Sequence, residues 1–113
     1  NGWVMMAQAD LLSVLPEDYP QRNALITLFK QNVAGVARYQ SSTGLWHQLL
    51  DKPDSYLETS CSAMFTYAIA RGVNRGWLRS DFAQVAYYGW RGIESKITAD
   101  GDVTAICPGT GLA

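Results

Sequence analysis

The chain has 113 residues, the length of a single domain. Hydrophobic residues make up 48%, charged residues 17%, and the formal net charge is −1. This composition excludes a disordered chain and argues against a nucleic-acid-binding surface. No apolar stretch approaches the roughly 20 residues that a membrane-spanning helix needs. The two cysteines, Cys61 and Cys107, lack metal-ligand spacing, and we expect free thiols rather than a disulfide.

The first two predicted helices form one pair. The first runs from about Gly2 to Leu15 and stops at Pro16. It is apolar around nearly its whole circumference, which predicts burial on most sides. The second starts near Pro20, a favoured first-turn residue, and ends near Gln40. Its apolar residues recur with helical spacing and predict an amphipathic helix: Leu25, Leu28, Phe29, Val33, Val36 and Tyr39.

The next two predicted helices form a second pair. The third begins around Ser60, which we predict as its N-cap, and ends near Gly76. The fourth starts at Ser80-Asp81 and runs to about Ile97. The residues predicted to face inward on it are Phe82, Val85, Ala86, Trp90, Ile93 and Ile97. Asp100-Gly101 predicts a turn. A small hairpin in which this turn joins residues 96–98 to residues 103–106 is one interpretation.

The buried helices start near residues 2 and 60, which indicates a helical hairpin repeated after roughly 58 residues. One hairpin cannot bury its inner helix, so neighbouring hairpins or further copies are needed to cover it. Because helices of a hairpin alternate in direction, both inner helices point the same way. Residues 1–3, 42–59 and 98–113 should therefore gather at one end, beside helix N-termini that favour an anionic group.

The loop before the third helix carries aromatic and polar residues, including the single histidine. Trp46, His47 and Gln48 predict contacts with a sugar, and a structural or solvated role is the alternative for each. Trp3 is either a sugar contact or a core residue. Glu58 is placed to interact with the first-turn amides of the helix. Cys61 lies where a thiol pKa can fall, but it has no neighbouring base that would make it a nucleophile.

Motifs spread over the chain resemble one enzyme family. They are Asn1-Gly2-Trp3, Thr43-Gly44-Leu45-Trp46-His47-Gln48-Leu49-Leu50-Asp51, Tyr56-Leu57-Glu58-Thr59-Ser60-Cys61-Ser62-Ala63-Met64-Phe65 and Cys107-Pro108-Gly109-Thr110-Gly111. In this order they resemble the unsaturated rhamnogalacturonyl hydrolases of glycoside hydrolase family 105, with the unsaturated glucuronyl hydrolases of family 88 as more distant relatives.

The resemblance implies an all-α fold in which helical hairpins form part of an (α/α)6 toroid. Residues 1–113 would be a partial domain of about two hairpins, without the N-terminal hairpins and the last helix. Family members remove a 4,5-unsaturated uronic acid from lyase-generated oligosaccharides, here expected to derive from rhamnogalacturonan. They hydrate the C4=C5 vinyl ether with a single Asp. No metal or other cofactor is implied.

The resemblance also assigns a binding role to one set of residues: Trp3, Trp46, His47, Gln48, Gly109 and Thr110. For Gly109 and Thr110 a plain glycine turn is the alternative. The family's catalytic Asp lies upstream of the position of Asn1, so no catalytic residue is assigned in this chain, which alone should be inactive. The expected partner is an oligosaccharide with an unsaturated uronyl end, and neither nucleic acid nor membrane is expected.

A second function stays open from the sequence. The chain could be a non-catalytic helical-hairpin module that binds a carbohydrate or a protein. An Asp in an inner-helix loop upstream of Asn1 would favour the enzyme, and its absence would favour binding alone. The sequence leaves the compartment undecided between the cytoplasm and the periplasm of a bacterium.

Overall fold

A computed structural model describes residues 1–109 of the chain. Their elements are α1 (Gly2–Val14), α2 (Arg22–Ala37), β1 (Trp46–His47), β2 (Leu57–Glu58), α3 (Thr59–Asn74), a 3-10 turn (Ser80–Phe82) and α4 (Ala83–Glu94). The four predicted helices are confirmed, with every boundary within three residues of the prediction. Over residues 1–109, no helix combines the length and apolarity that crossing a membrane requires.

Helix α3 is the centre of the fold, since it packs against both α1 and α4, while α2 packs on α1. Side chains of α1 and α3 pair at a nearly constant sequence distance. The Tyr67 hydroxyl bonds Asp10, 57 residues away, and Arg71 donates to Ser13, 58 residues away. A constant distance means that the two helices lie side by side and parallel. The predicted repeat of roughly 58 residues is therefore confirmed.

One core joins the four helices. Phe29 of α2 meets Trp77 edge to face at 5.9 Å, and Trp46 of β1 meets Phe65 of α3 at 5.2 Å. The largest fully buried side chains are Trp46, Phe29, Phe65, Met5, Leu12, Leu45, Ile69 and Val33. The core thus fixes β1 against the start of α3, next to the loops that the sequence predicted to gather.

Glycines in α4 permit a close approach that the apolar pattern did not predict. A Cβ atom on Gly89 would overlap the hydroxyl of Thr66 in α3. A Cβ on Gly92 would lie 2.7 Å from the carbonyl oxygen of Thr43. Gly89 and Gly92 are both buried, so α4 rests directly on α3 and on the loop before β1.

Several residues predicted to face inward are exposed. Within residues 1–109, helix α1 buries one stripe only. Its buried residues are Gly2, Met5, Ala9 and Leu12. Burial on most sides therefore stays a prediction that needs the neighbouring hairpins expected from the sequence. The exposed residues among those predicted inside are Trp3, Val4, Leu11, Val14, Leu28, Tyr39, Trp90 and Ile97.

The turn at Asp100-Gly101 is confirmed. Ile97 pairs with Val103 in one antiparallel bridge, and the Thr98 amide donates to the Asp102 carbonyl at 2.8 Å. The predicted hairpin is therefore reduced to a single bridge, after which the chain runs towards the start of α3.

Gly44 and Gly101 provide a matched test of this packing. Both have φ +91°, but a Cβ on Gly44 would overlap the backbone carbonyl of Tyr88, whereas a Cβ on Gly101 meets open space. We expect Gly101→Ala to lower the free energy of unfolding by about 1 kcal/mol, from the strained φ alone. Gly44→Ala should lower the free energy of unfolding by about 2 kcal/mol more than Gly101→Ala does, because α4 must shift. Urea denaturation measures both, and equal losses would contradict the described contact.

Candidate functional site

The three predicted segments do meet at one end of the fold, around a cavity of about 530 Å³. This volume lies within the range of small-molecule sites. We call it the Trp3 cavity. Its walls come from the start of α1, the loop after β1, the start of α3 and the segment before residue 110. The lining residues are Asn1, Gly2, Trp3, Gln48, Leu50, Glu58, Ser60, Cys61, Met64, Phe65, Cys107 and Gly109.

The buried carboxylate of Glu58 organises one wall of the cavity. Glu58 is the N-cap of α3 and is only 2% exposed. Its oxygens accept the amides of Ser60 and Cys61, both at 2.8 Å, and the Ser60 hydroxyl at 2.8 Å. A third amide arrives from Cys107, 49 residues later, at 3.0 Å. The carboxylate therefore joins the start of α3 to the far end of the described chain.

Residues 104–109, which we call segment 104–109, are held at two further points. The Thr59 amide donates to the Ala105 carbonyl at 2.9 Å, and the Thr59 hydroxyl donates to the Thr104 carbonyl at 2.7 Å. Ala105 has φ +59°, a left-handed conformation that costs a non-glycine residue on the order of 1 kcal/mol. The hydrogen bonds from Glu58 and Thr59 lie on both sides of this residue and hold it there.

The pKa of Glu58 follows from these contacts. Burial raises the pKa of the carboxyl group, but the amides of Cys61, Ser60 and Cys107 and the Ser60 hydroxyl stabilise its charged form. The net effect is a pKa below the ordinary glutamate value. Glu58 is therefore an ionised structural carboxylate at neutral pH rather than a reservoir of protons.

The two cysteines are free thiols, as predicted, and the cavity affects them in opposite ways. Burial and the nearby charge of Glu58 raise the pKa of Cys61 to about 12, so the expectation of a depressed pKa at this helix start is wrong. Hydrogen bonding to Tyr56 lowers the pKa of Cys107 and raises that of Tyr56 to about 12.

Three of the predicted binding residues lie on the Trp3 cavity. Trp3 lines the cavity and is 71% exposed, so it is not a core residue of the described chain. The Gln48 side chain is exposed and its amide lies 3.7 Å from the Cys107 sulfur. Gly109 lines the same wall. Thr110 lies outside the described residues.

Trp46 requires a correction. Its side chain is fully buried, packs on Phe65, and donates its indole N–H to the Val36 carbonyl at 2.8 Å. Its backbone amide donates to the Ser62 hydroxyl at 2.8 Å. Because neither face of the ring reaches solvent, the prediction that Trp46 contacts a sugar is wrong, and its role is to anchor β1 on α3.

His47 also lies apart from the Trp3 cavity. Its ring nitrogen Nδ1 pairs with the Ser55 carbonyl at 2.6 Å, and the side chain borders a separate pocket of about 430 Å³. That pocket, the His47 pocket, is lined by Arg38, Tyr39, Gln40, Ser41, His47, Leu50, Asp51 and Pro53. In the described chain, His47 therefore does not join Trp3 and Gln48, although all three were predicted to share one face.

The expected anion site at the start of α3 is already occupied. Glu58 supplies the negative charge for that helix end and uses the amides that the sequence left available for a ligand. Ser60, predicted as the N-cap, instead lies in the first turn, because Glu58 has the extended backbone that a cap requires. The predicted interaction of Glu58 with the first-turn amides of α3 is confirmed, and only the third amide, from Cys107, was not predicted.

No group of three or more His, Cys, Asp or Glu side chains within residues 1–109 is arranged to hold a metal ion. What the Trp3 cavity offers is an exposed indole, a primary amide, and backbone atoms of segment 104–109. Aromatic faces and amide groups of this kind suit a sugar ring and its hydroxyls.

Comparison with known proteins gives matches along the entire chain. The profile of the family described as Glycosyl Hydrolase Family 88 matches residues 1–113. An unsaturated 3S-rhamnoglycuronyl hydrolase from Alteromonas sp. (strain LOR) is 34% identical over 91% of the chain and 26% of its own length. An unsaturated rhamnogalacturonyl hydrolase from Bacillus subtilis (strain 168) is 30% identical over 99% of the chain and 31% of its own length.

Solved structures agree with the sequence matches. A possible member of family GH105 from Salmonella enterica superimposes with a TM-score of 0.93 and 36% identity. The superposition covers 99% of this chain and 30% of that protein. The predicted all-α fold, as part of a six-hairpin toroid, is confirmed by this similarity. The chain thus spans between a quarter and a third of the length of the curated relatives cited, 26% and 31%.

The Glu58 carboxylate predicts a specific acid sensitivity. Since its folded-state pKa lies below the unfolded value, its contribution to stability is complete above about pH 4.3 and is lost as the pH falls through the folded-state pKa. We expect Glu58→Gln to reduce the pH dependence of the free energy of unfolding in this range. At pH 7 the same change should lower the free energy of unfolding by about 2 kcal/mol, because charge-assisted hydrogen bonds are weakened. Tyr56 and Cys61, with pKa values of about 12, do not titrate there.

Glu17→Gln is the control for that measurement, since Glu17 is an exposed glutamate in the loop after α1. Chemical denaturation between pH 3 and pH 7 should give Glu17→Gln the same curve shape as the unmodified protein. An unchanged curve for Glu58→Gln would contradict the assigned role of the carboxylate.

Proposed function

Because the chain belongs to glycosyl hydrolase family 88, we propose that it forms part of a glycoside hydrolase that removes a 4,5-unsaturated uronic acid from lyase-generated oligosaccharides. The observation that carries this proposal is the Trp3 cavity, in which three distant segments of the chain bring an exposed indole and an amide side chain together. The name of the Bacillus subtilis relative, an unsaturated rhamnogalacturonyl hydrolase, supports a rhamnogalacturonan-derived substrate, and the name of the Alteromonas relative shares only the rhamnose and uronyl units.

The proposed role of this chain is to form a wall of the substrate site. Trp3 offers its exposed ring for stacking on the uronyl ring, and Gln48 lies where its amide can bond a ring hydroxyl. Gly109 lies on the same wall as Gln48, next to Cys107. His47 is left out of this role, since its pocket is separate, and Trp46 is left out because it is buried.

The acid that starts the reaction is proposed to come from a part of the protein outside these residues. Hydration of the C4=C5 vinyl ether needs a proton on C4 and then a water hydroxyl on C5. The hemiketal so formed rearranges and releases the sugar. Glu58 is the acidic residue on the wall of the Trp3 cavity, but its lowered pKa and its several donors make it a poor proton donor.

The exposed apolar faces fit a partial toroid. We propose that residues 1–113 supply about two hairpins, and that further hairpins cover the open sides of α1 and α4. Apart from Trp3, which lines the cavity, the large exposed side chains on these sides are Val4, Leu11, Val14, Tyr87, Tyr88 and Trp90. Exposed apolar surface of this extent is uncommon on a finished monomer and marks a contact area.

The test uses the longest form of the protein that contains this chain. An unsaturated disaccharide prepared by lyase digestion of rhamnogalacturonan is added, and loss of the double-bond absorbance is followed. We expect turnover by the long form and none by residues 1–113 alone. In the long form, Trp3→Ala should raise KM about tenfold, or about 1.4 kcal/mol of lost binding. Tyr19→Ala, which removes an exposed aromatic beyond the other end of α1, should leave KM unchanged.

Each alternative has a distinct result. Turnover by residues 1–113 alone would contradict an acid outside the chain. Saturable binding of the disaccharide without turnover in the long form would favour the non-catalytic binding module. An unchanged KM for Trp3→Ala would remove the Trp3 cavity from the substrate site.

A further inference from the structure

Segment 104–109 forms one wall of the Trp3 cavity without belonging to any helix. Thr104 is tied back to the Lys96 carbonyl by its amide and its hydroxyl, and three hydrogen bonds with two consecutive residues attach the segment to the start of α3. Glu58 accepts the Cys107 amide, and Thr59 donates its amide to Ala105 and its hydroxyl to Thr104. Thr59 is fully buried and Glu58 nearly so, whereas Thr104 and Ala105 are exposed and Cys107 is half-buried, so these bonds join a buried helix start to a segment at the surface.

The backbone conformation of segment 104–109 includes a residue with an unfavourable positive φ. Ala105 has φ +59°, which an alanine adopts rarely without being forced. The three attachments lie at residues 104, 105 and 107, on both sides of this strained position. Release of the attachments would let Ala105 relax and would move Cys107 and Gly109 away from Gln48.

We propose that Glu58 is a positioning residue that sets the affinity of the substrate site by holding segment 104–109 against the Trp3 cavity. This inference rests on the proposed function for its substrate, but the attachment itself can be tested without any sugar. Although Glu58 borders the cavity, both of its carboxylate oxygens accept hydrogen bonds from protein donors, and we give it no part in the chemistry. Its loss should therefore weaken binding and leave the chemical step intact.

Two variants separate the attachment of the segment from the capping of α3. Glu58→Gln keeps the side-chain shape but removes the charge that serves both α3 and Cys107. Thr59→Val removes only the bond to the Thr104 carbonyl and leaves the cap of α3 in place. Ser13→Ala is the control, because it removes two hydrogen bonds at the far end of α1, the one that Ser13 donates to the Ala9 carbonyl at 2.8 Å and the one that it accepts from Arg71 at 3.3 Å.

The first readout is hydrogen–deuterium exchange of the Cys107 amide in the unliganded protein. We expect exchange at least about tenfold faster in Glu58→Gln and about fivefold faster in Thr59→Val, from the loss of one or more hydrogen bonds. Ser13→Ala should match the unmodified protein. Equal exchange rates in all four proteins would overturn the proposed attachment.

The second readout is the kinetics of the long form on the unsaturated disaccharide. We expect KM at least about tenfold higher in Glu58→Gln and raised in Thr59→Val, with kcat within twofold in both. A lower kcat at unchanged KM would overturn the proposal and make Glu58 part of the chemistry. If the unmodified protein shows no turnover, the proposed function fails, while the exchange experiment still decides whether Glu58 holds the segment.

Discussion

The end of the fold that carries the Trp3 cavity depends on the buried carboxylate of Glu58. Glu58 ends β2 and caps α3, and the carboxylate oxygen that accepts the Ser60 amide also accepts the amide of Cys107 from the end of the described chain. An ion buried to this degree is stable only when donors surround it, and here three amides and a hydroxyl do so. The start of α3 and segment 104–109 therefore meet at one point, and the cavity between α1 and α3 acquires a fixed wall.

The parallel packing of α1 on α3 places that point beside Trp3. Since side chains of the two helices pair at distances of 57 and 58 residues, both begin at the same end. Close contacts of glycines with backbone and side-chain atoms then bring α4 onto α3. The helices thus leave the Trp3 cavity at one end and exposed apolar side chains on α1 and α4. This is the geometry expected of a few hairpins taken from a larger helical ring.

Much of this was predictable because helical periodicity is local. The helices, their repeat and the gathering of the three loops followed from spacing and from the alternating direction of hairpins. The fate of individual loop residues was not, since it depends on contacts far along the chain. Trp46 is buried because its indole N–H bonds the Val36 carbonyl and its ring packs on Phe65. The bond from the Cys107 amide to Glu58 likewise joins residues that are far apart in the chain. The exposure of Trp90 was missed because Gly89 and Gly92, which carry no apolar signal, form the face that turns inward.

The central claim is that the uronyl sugar binds between Trp3 and segment 104–109. Crystals of the long form soaked with the unsaturated disaccharide test it most directly. We expect difference density for the uronyl ring over the Trp3 indole, within hydrogen-bond distance of the Gln48 amide. Density in the His47 pocket, with the Trp3 cavity filled by water, would contradict it.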